Sequence, residues 1–253
     1  MDFGTLIGLV IGLVAVTLIL IDAQILNILL DEASLIFVLG GTFASTLMTY
    51  PWRVFKKIPT GFKLLMFPPK HIEADVIVNR MHELSVIAHQ RGVDALPDQL
   101  KKDDMPFIKS GVNMLVNDWT VDDISTHLEI DMQGTSDRHA QIQRLFEAMA
   151  TYAPVYGLLG TLIGVLGLLR FLGDPKGMGN AMAKAITTFY GIFFANFIAL
   201  PVAGKLEVYT AHEMLLKRVI TEGIVCMKQE VNPGTVRLKL EMILANSVRN
   251  KKS

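Results

Sequence analysis

Four stretches of this chain run for 19 or 20 residues without an Asp, Glu, Lys or Arg: Phe3–Ile21, Ala33–Trp52, Thr151–Leu169 and Ala185–Gly204. A helix of about 20 apolar residues covers a ~30 Å hydrocarbon core, and a chain in lipid must satisfy its own backbone hydrogen bonds. The pattern predicts an all-α polytopic membrane protein with four transmembrane helices and a large cytoplasmic helical domain. Composition agrees, since 19% of residues are charged and 51% hydrophobic, where soluble domains carry about 25% charge. The first stretch is not a signal peptide, because Met1-Asp2 offers no basic n-region and the apolar run is too long.

Charge excludes other classes. The formal net charge is +0, so no basic bias points to nucleic acid. The lone Cys226 forms no internal disulfide and has no zinc-ligand spacing around it. Orientation follows from the basic residues. Arg53, Lys56, Lys57, Lys63 and Lys70 crowd 51–70 with no acidic residue, and nine Lys or Arg with five Glu follow Gly204. Both segments, and both termini, are expected in the cytoplasm. Arg170, Lys176 and Lys184 flank the short outer loop against the rule, and helix-end cations snorkel.

The chain therefore divides into a transmembrane hairpin at 1–52 (spans about 3–21 and 33–52), a cytoplasmic helical domain at 53–150, a second hairpin at 151–204 (spans about 151–169 and 185–204) and C-terminal amphipathic helices at 205–253. Within the middle segment, Ile77, Met81, Leu84 and Ala88 recur at helical spacing. Asp122 or Asp123 is expected to cap a later helix. The segment 136–157 is expected to run as helix into the third span. A last short helix is expected at about Val236–Leu244, and no run is long enough to build a sheet.

Catalytic and nucleotide motifs are missing: there is no GxxxxGK[ST], no HExxH and no paired cysteine. Sequence spacing gives His82 and His89 a shared helix face but no third ligand, so a solvated face is the reading, with no metal or other cofactor. The chain is not read as an enzyme. The spans say more. Gly4, Gly8 and Gly12 recur every four residues, and Gly157, Gly160, Gly164 and Gly167 share a face in the third span, patterns that let backbones approach. Thr161 borders that face. The fourth span offers Thr188, Gly191, Ala195 and Ala199 on one side, with Asn196 two turns above Thr188 and Pro201 near its inner end. Pro154 costs little if the helix starts there and kinks it if the helix arrives unbroken. These features read either as helix packing, each hydroxyl bonded one turn back, or as a helix pair lining an ion path. No span has a carboxylate to load a proton, so any charged acceptor belongs to a partner.

The stretches 152–166, 173–207 and 213–241 resemble the MotA/PomA family of flagellar stator subunits, and more distantly ExbB and TolQ, which have three spans and lack this tail. The resemblance implies an ion-driven subunit in the bacterial inner membrane, ringed in five copies around a single-span MotB/PomB-type partner that supplies the ion-binding aspartate. Ion flow would then turn the ring against the rotor protein FliG. By position, Pro154 and Pro201 match the family's functional prolines, and Thr161 and Thr188 its hydroxyls near the ion path. Threonine at 161 resembles the Na+-driven branch, with H+ as the alternative. The rotor loop departs from the family: "AHQRGVDALPD" (88–98) has His89 and Gln90 where a basic pair is expected and Pro97 where a glutamate is. His89, Arg91, Asp94 and Asp98 are the rotor-interface candidates. An ExbB/TolQ-like energiser of a non-flagellar load (outer-membrane transport, gliding or defence) is the competing reading.

Overall fold

A computed structural model of the chain describes residues 3–22, 31–66, 72–170, 173 and 175–250. Every regular element among them is helical. The order is α1 (Phe3–Asp22), α2 (Glu32–Thr49), α3 (Trp52–Phe55), α4 (Ile58–Met66), α5 (Ala74–Arg91), α6 (Pro106–Val116), α7 (Val121–Arg170), α8 (Pro175–Ala185), α9 (Thr187–Phe194), a π-helical turn at Ala195–Ala199, α10 (Leu200–Lys228) and α11 (Pro233–Asn250). Two short 3₁₀ turns, Val93–Ala95 and Pro97–Gln99, lie between α5 and α6.

Three of the helical stretches, Glu32–Thr49, Val121–Arg170 and Thr188–Lys228, are long and apolar enough to cross a membrane, and Ile7–Asp22 is a shorter apolar helix. Their outward side chains fit that reading. Val155, Leu158, Leu162, Leu166 and Leu169 on α7 are all more than half exposed, while Gly157, Gly160 and Gly164 on the same helix are buried. A run of exposed leucines this long is unfavourable against water and neutral against lipid.

The chain forms two compact units. The first comprises residues 1–69 and 139–207, the second 70–138 and 208–253. This division by contacts cuts across the segment read from sequence as 53–150. The reason is local: α3 and α4 bury Val54, Ile58 and Gly61, and the Gly61 backbone lies against the Phe146 ring, where any Cβ would collide. The core of this first unit gathers Leu145, Phe146, Met149, Ala153, Ala195, Ala199 and Val202.

In the second unit, Ile77, Met81 and Leu84 of α5 are buried as their spacing predicts, against Phe107, Ile108 and Leu115 of α6 and Val219, Ile220 and Ile224 of α10. Gly111 and Gly223 let Ile224 and Met81 approach. Three local details depart from expectation. Thr120, rather than Asp122 or Asp123, caps α7: its hydroxyl accepts from Asp123 N at 3.2 Å and donates to the Asp123 carboxylate at 2.7 Å, a reciprocal box of the capping type. The segments read as separate helices between 121 and 170 are one 50-residue helix. Finally α11 opens at Pro233, where a missing N–H is harmless, and runs to Asn250, longer than the expected 236–244.

Candidate functional site

The site is built on α7 and α9 within the first unit. Gly191 of α9 sits against the α7 backbone: a Cβ there would overlap the Ala153 carbonyl oxygen and come within 2.7 Å of its carbon and 3.0 Å of Pro154 Cα. Only glycine permits this approach, and no rotamer change relieves it because the neighbour is main chain. Alanines continue the contact, with Ala153, Ala195 and Ala199 all at 2% exposure or less.

One turn from that contact, three oxygens converge. Thr161 Oγ1 lies 3.1 Å and Thr188 Oγ1 3.2 Å from the Gly157 carbonyl oxygen, and the two hydroxyls hydrogen-bond each other. Thr161 thus makes the one-turn-back bond of an ordinary helical threonine and, in addition, a cross-helix bond. Thr188 reaches across to α7. The triangle is neutral and half-buried. It has no group that takes up a proton near pH 7, but hydroxyl and carbonyl oxygens are ligands for hard cations.

Pro154 lies inside α7, which continues helically on both sides, so the carbonyl of Ala150 lacks the usual i+4 donor. Pro201 follows the π turn, in which Leu200 N–H reaches back five residues to the Ala195 carbonyl. Such turns widen a helix where its regular ladder is interrupted. Asn196 is exposed within this turn and donates to the Ile192 carbonyl at 2.9 Å. Stacked rings at Phe189, Phe193 and Phe197 run along the same helix, with centroids 5.7 and 4.6 Å apart. The last ring lies over Gly12 of α1, where a Cβ would meet it at 2.5 Å. A methyl at Gly8 would meet nothing within 4 Å and Gly4 is exposed, whereas Gly167 faces the Ala181 methyl at 3.7 Å. On its other side α7 is tied to α2, through Tyr156 to Ser45 at 2.8 Å and Tyr152 to Thr49 at 2.9 Å.

In the second unit, His89, Arg91, Asp94 and Asp98 are all exposed, and none is ion-paired among the described residues. Their loop is held from beneath. Arg80, buried on α5, forks onto Asp104 through Nε at 2.9 Å and Nη2 at 2.7 Å, reaches Glu83 at 3.0 Å and caps the Gln99 carbonyl at 2.6 Å. Burial would raise the Asp104 carboxyl, but the Arg80 fork and the Lys101 amide outweigh it and hold it below the usual carboxylate range. Gly92, at φ 82°, turns the chain out of α5 into this loop. His82 pairs with the Pro233 carbonyl at 3.2 Å rather than with His89. Sequence reasoning placed Gly191 on the right face but did not single it out. It missed the Gly157 carbonyl, the π turn and the Arg80 fork.

The fold and site define a class: an all-helical protein with membrane-length apolar helices that meet at glycine and alanine around an uncharged hydroxyl cluster. Comparison narrows it. Residues 99–219 match the MotA/TolQ/ExbB proton channel family. The chain is 30% identical to YtxD of Bacillus subtilis over 243 residues, covering 94% of this chain and 89% of that protein. It is 30% identical to the chemotaxis protein PomA of Vibrio alginolyticus over 251 residues, 98% of each. Its fold superposes on the flagellar MotAB stator complex from Bacillus subtilis with a TM-score of 0.86 at 26% identity, covering 98% of each chain. The chain belongs to the MotA/TolQ/ExbB proton channel family.

Proposed function

We infer that the protein is a flagellar stator subunit that couples cation flow across the bacterial inner membrane to rotation. The observation that carries the reading is the Gly157–Thr161–Thr188 oxygen triangle, set beside the glycine contact at Gly191 and free of any ionisable group. A neutral triangle guides a cation but does not drive one. The carboxylate belongs to a single-span partner of the MotB/PomB type, and the solved stator relatives are themselves MotAB complexes. In this reading four helices span the bilayer, both termini face the cytoplasm, and about five copies ring the partner. His89, Arg91, Asp94 and Asp98 meet the rotor protein FliG. The exposed, unpaired charges of that loop support the last point. Pro154, Asn196 and Pro201 line or shape the path. Sodium is the cation the paired hydroxyls suit better, with the proton as the alternative. Relatives that match nearly end to end include the motility protein A of Bacillus subtilis and the chemotaxis protein PomA of Vibrio alginolyticus, which leaves an ExbB/TolQ-like load disfavoured.

The test is swimming speed against sodium concentration. Thr161→Ala and Thr188→Ala should each slow swimming at least tenfold or raise the half-maximal sodium concentration, because one of three oxygens is lost. Thr161→Ser keeps the oxygen and should retain most of the speed. If Thr161→Ala swims normally at every sodium concentration, the triangle is helix packing and nothing more.

A further inference from the structure

Directly after α2, the chain folds α3 and α4 with two opposed faces. One face is anchored: Val54 and Ile58 are buried, Gly61 is wedged under Phe146, and Phe62 packs edge-on to the same ring at 5.6 Å. The other face carries Trp52, Arg53, Lys56 and Lys63, all exposed, with Lys57 beside them half-exposed. Arg53 lies on α3, Lys56 and Lys57 in the turn that follows and Lys63 on α4, so the cations are gathered on one short segment. No acidic residue occurs between Pro51 and Lys70, and none of the four described cations here is ion-paired among the described residues. The Trp52 ring is 58% exposed, stacks on Phe55 at 5.5 Å and lies under Lys56 Nζ at 5.6 Å.

A topology signal needs only loose positive charge. It does not require those charges to be fixed on one face beside an exposed indole. An anchored cationic segment with an amphipathic ring, at the end of a membrane-length helix, has the chemistry that holds a phosphodiester headgroup while the ring sits at the level of the glycerol backbone. We propose that Trp52, Arg53, Lys56, Lys57 and Lys63 form a binding site for anionic glycerophospholipid, selective over zwitterionic lipid. The proposal rests on the reading of α2 as a membrane span. It extends that reading from a helix that crosses the bilayer to a subunit that selects the lipid at its inner edge.

The chain has two tryptophans, Trp52 and Trp119, so Trp119→Phe leaves Trp52 as the sole indole reporter. The full chain with this change is reconstituted into phosphatidylcholine vesicles containing a minor, equal fraction of brominated phosphatidylglycerol or brominated phosphatidylcholine. The expected result is quenching of Trp52 by both, with an apparent affinity for phosphatidylglycerol about fivefold higher, the factor one Lys or Arg supplies at an anionic surface. Raising salt from about 0.15 M to 1 M, which shortens the Debye length from ~8 to ~3 Å, should erase the difference in the otherwise unaltered chain. Combined Arg53→Gln, Lys56→Gln, Lys57→Gln and Lys63→Gln should erase it at low salt. Equal quenching by the two lipids at low salt overturns the proposal while leaving the membrane span intact. Absence of quenching by either overturns both. Loss of the preference on replacing chloride by inorganic phosphate at matched ionic strength also overturns it, because the site would then take a soluble anion.

Discussion

Gly191→Ala tests the site through a single methyl group. Carbon contact ordinarily begins at 3.4 Å, whereas the added Cβ would lie 2.7 Å from the Ala153 carbonyl carbon and closer still to its oxygen, so α7 and α9 must separate by at least about 0.7 Å there. Thr188, one turn away, sits 3.2 Å from the Gly157 oxygen. The same displacement takes that distance to about 3.9 Å, beyond hydrogen-bond reach. Overpacking costs about 1–3 kcal/mol and the lost interhelical bond about 0.6 kcal/mol. Replacing a helical glycine by alanine returns up to ~1 kcal/mol, leaving a net loss of about 0.6–2.6 kcal/mol. Chemical denaturation of the purified subunit reads the stability, and swimming speed against sodium reads the site. Swimming should suffer more than stability does, because the hydroxyls part before the fold fails. Gly167→Ala, on α7 and facing the Ala181 methyl at 3.7 Å, is the control: it should leave swimming unchanged and cost no stability. If Gly191→Ala swims like the parent, or if the two substitutions behave alike, close backbone approach is not what sets the site.

Two further predictions concern the second unit. The Asp104 carboxyl is held below its ordinary value, so its contribution is fully present above about pH 4 and is lost as pH falls through the lower folded-state pKa. In a Trp52→Phe background, Asp104→Asn should flatten this acid limb in denaturation followed by Trp119 fluorescence. Arg80→Met should cost about 3 kcal/mol at neutral pH, because it strands the buried Asp104 carboxylate. Lys217 is also buried, bonded to Thr135 at 2.9 Å and lying over the Phe107 ring at 4.9 Å, yet its loss strands nothing. Thr135 keeps its bond to the Asp131 carbonyl at 3.0 Å, and the Asp131 side chain is half-exposed. Thermal unfolding should therefore show Lys217→Met within about 1.5 kcal/mol of the parent and Lys217→Ala about 2–4 kcal/mol below it.

Patterns that depend on residue type at short spacing were legible in the chain. The apolar stretches, the α5 core positions Ile77, Met81 and Leu84, and the facing small residues of α7 and α9 all follow from a period of 3.6. Features made by backbone atoms were not. Nothing in a glycine at 157 says that two hydroxyls come within hydrogen-bond reach of its carbonyl, one of them 31 residues away. The π turn at Ala195–Ala199 had a hint in Pro201, whose missing N–H already unsettles the ladder behind it, but period counting assumes one pitch throughout. The Arg80–Asp104 fork joins residues 24 apart across two 3₁₀ turns, and a sequence shows only that both charges exist. Thr120 was overlooked as a cap because two aspartates stood nearer the expected start of α7.

The oxygen triangle carries a further property. Two hydroxyl protons lie between the three oxygens of the triangle, and the Gly157 carbonyl can only accept. Either Thr161 donates to the carbonyl while Thr188 donates to Thr161, or Thr188 donates to the carbonyl while Thr161 donates to Thr188. Both donor orders fit the same heavy-atom positions, so rotating two hydroxyls exchanges them and moves the hydroxyl that accepts its neighbour's proton from one helix to the other. Within the triangle the order of donation can thus reverse between α7 and α9 without moving either helix.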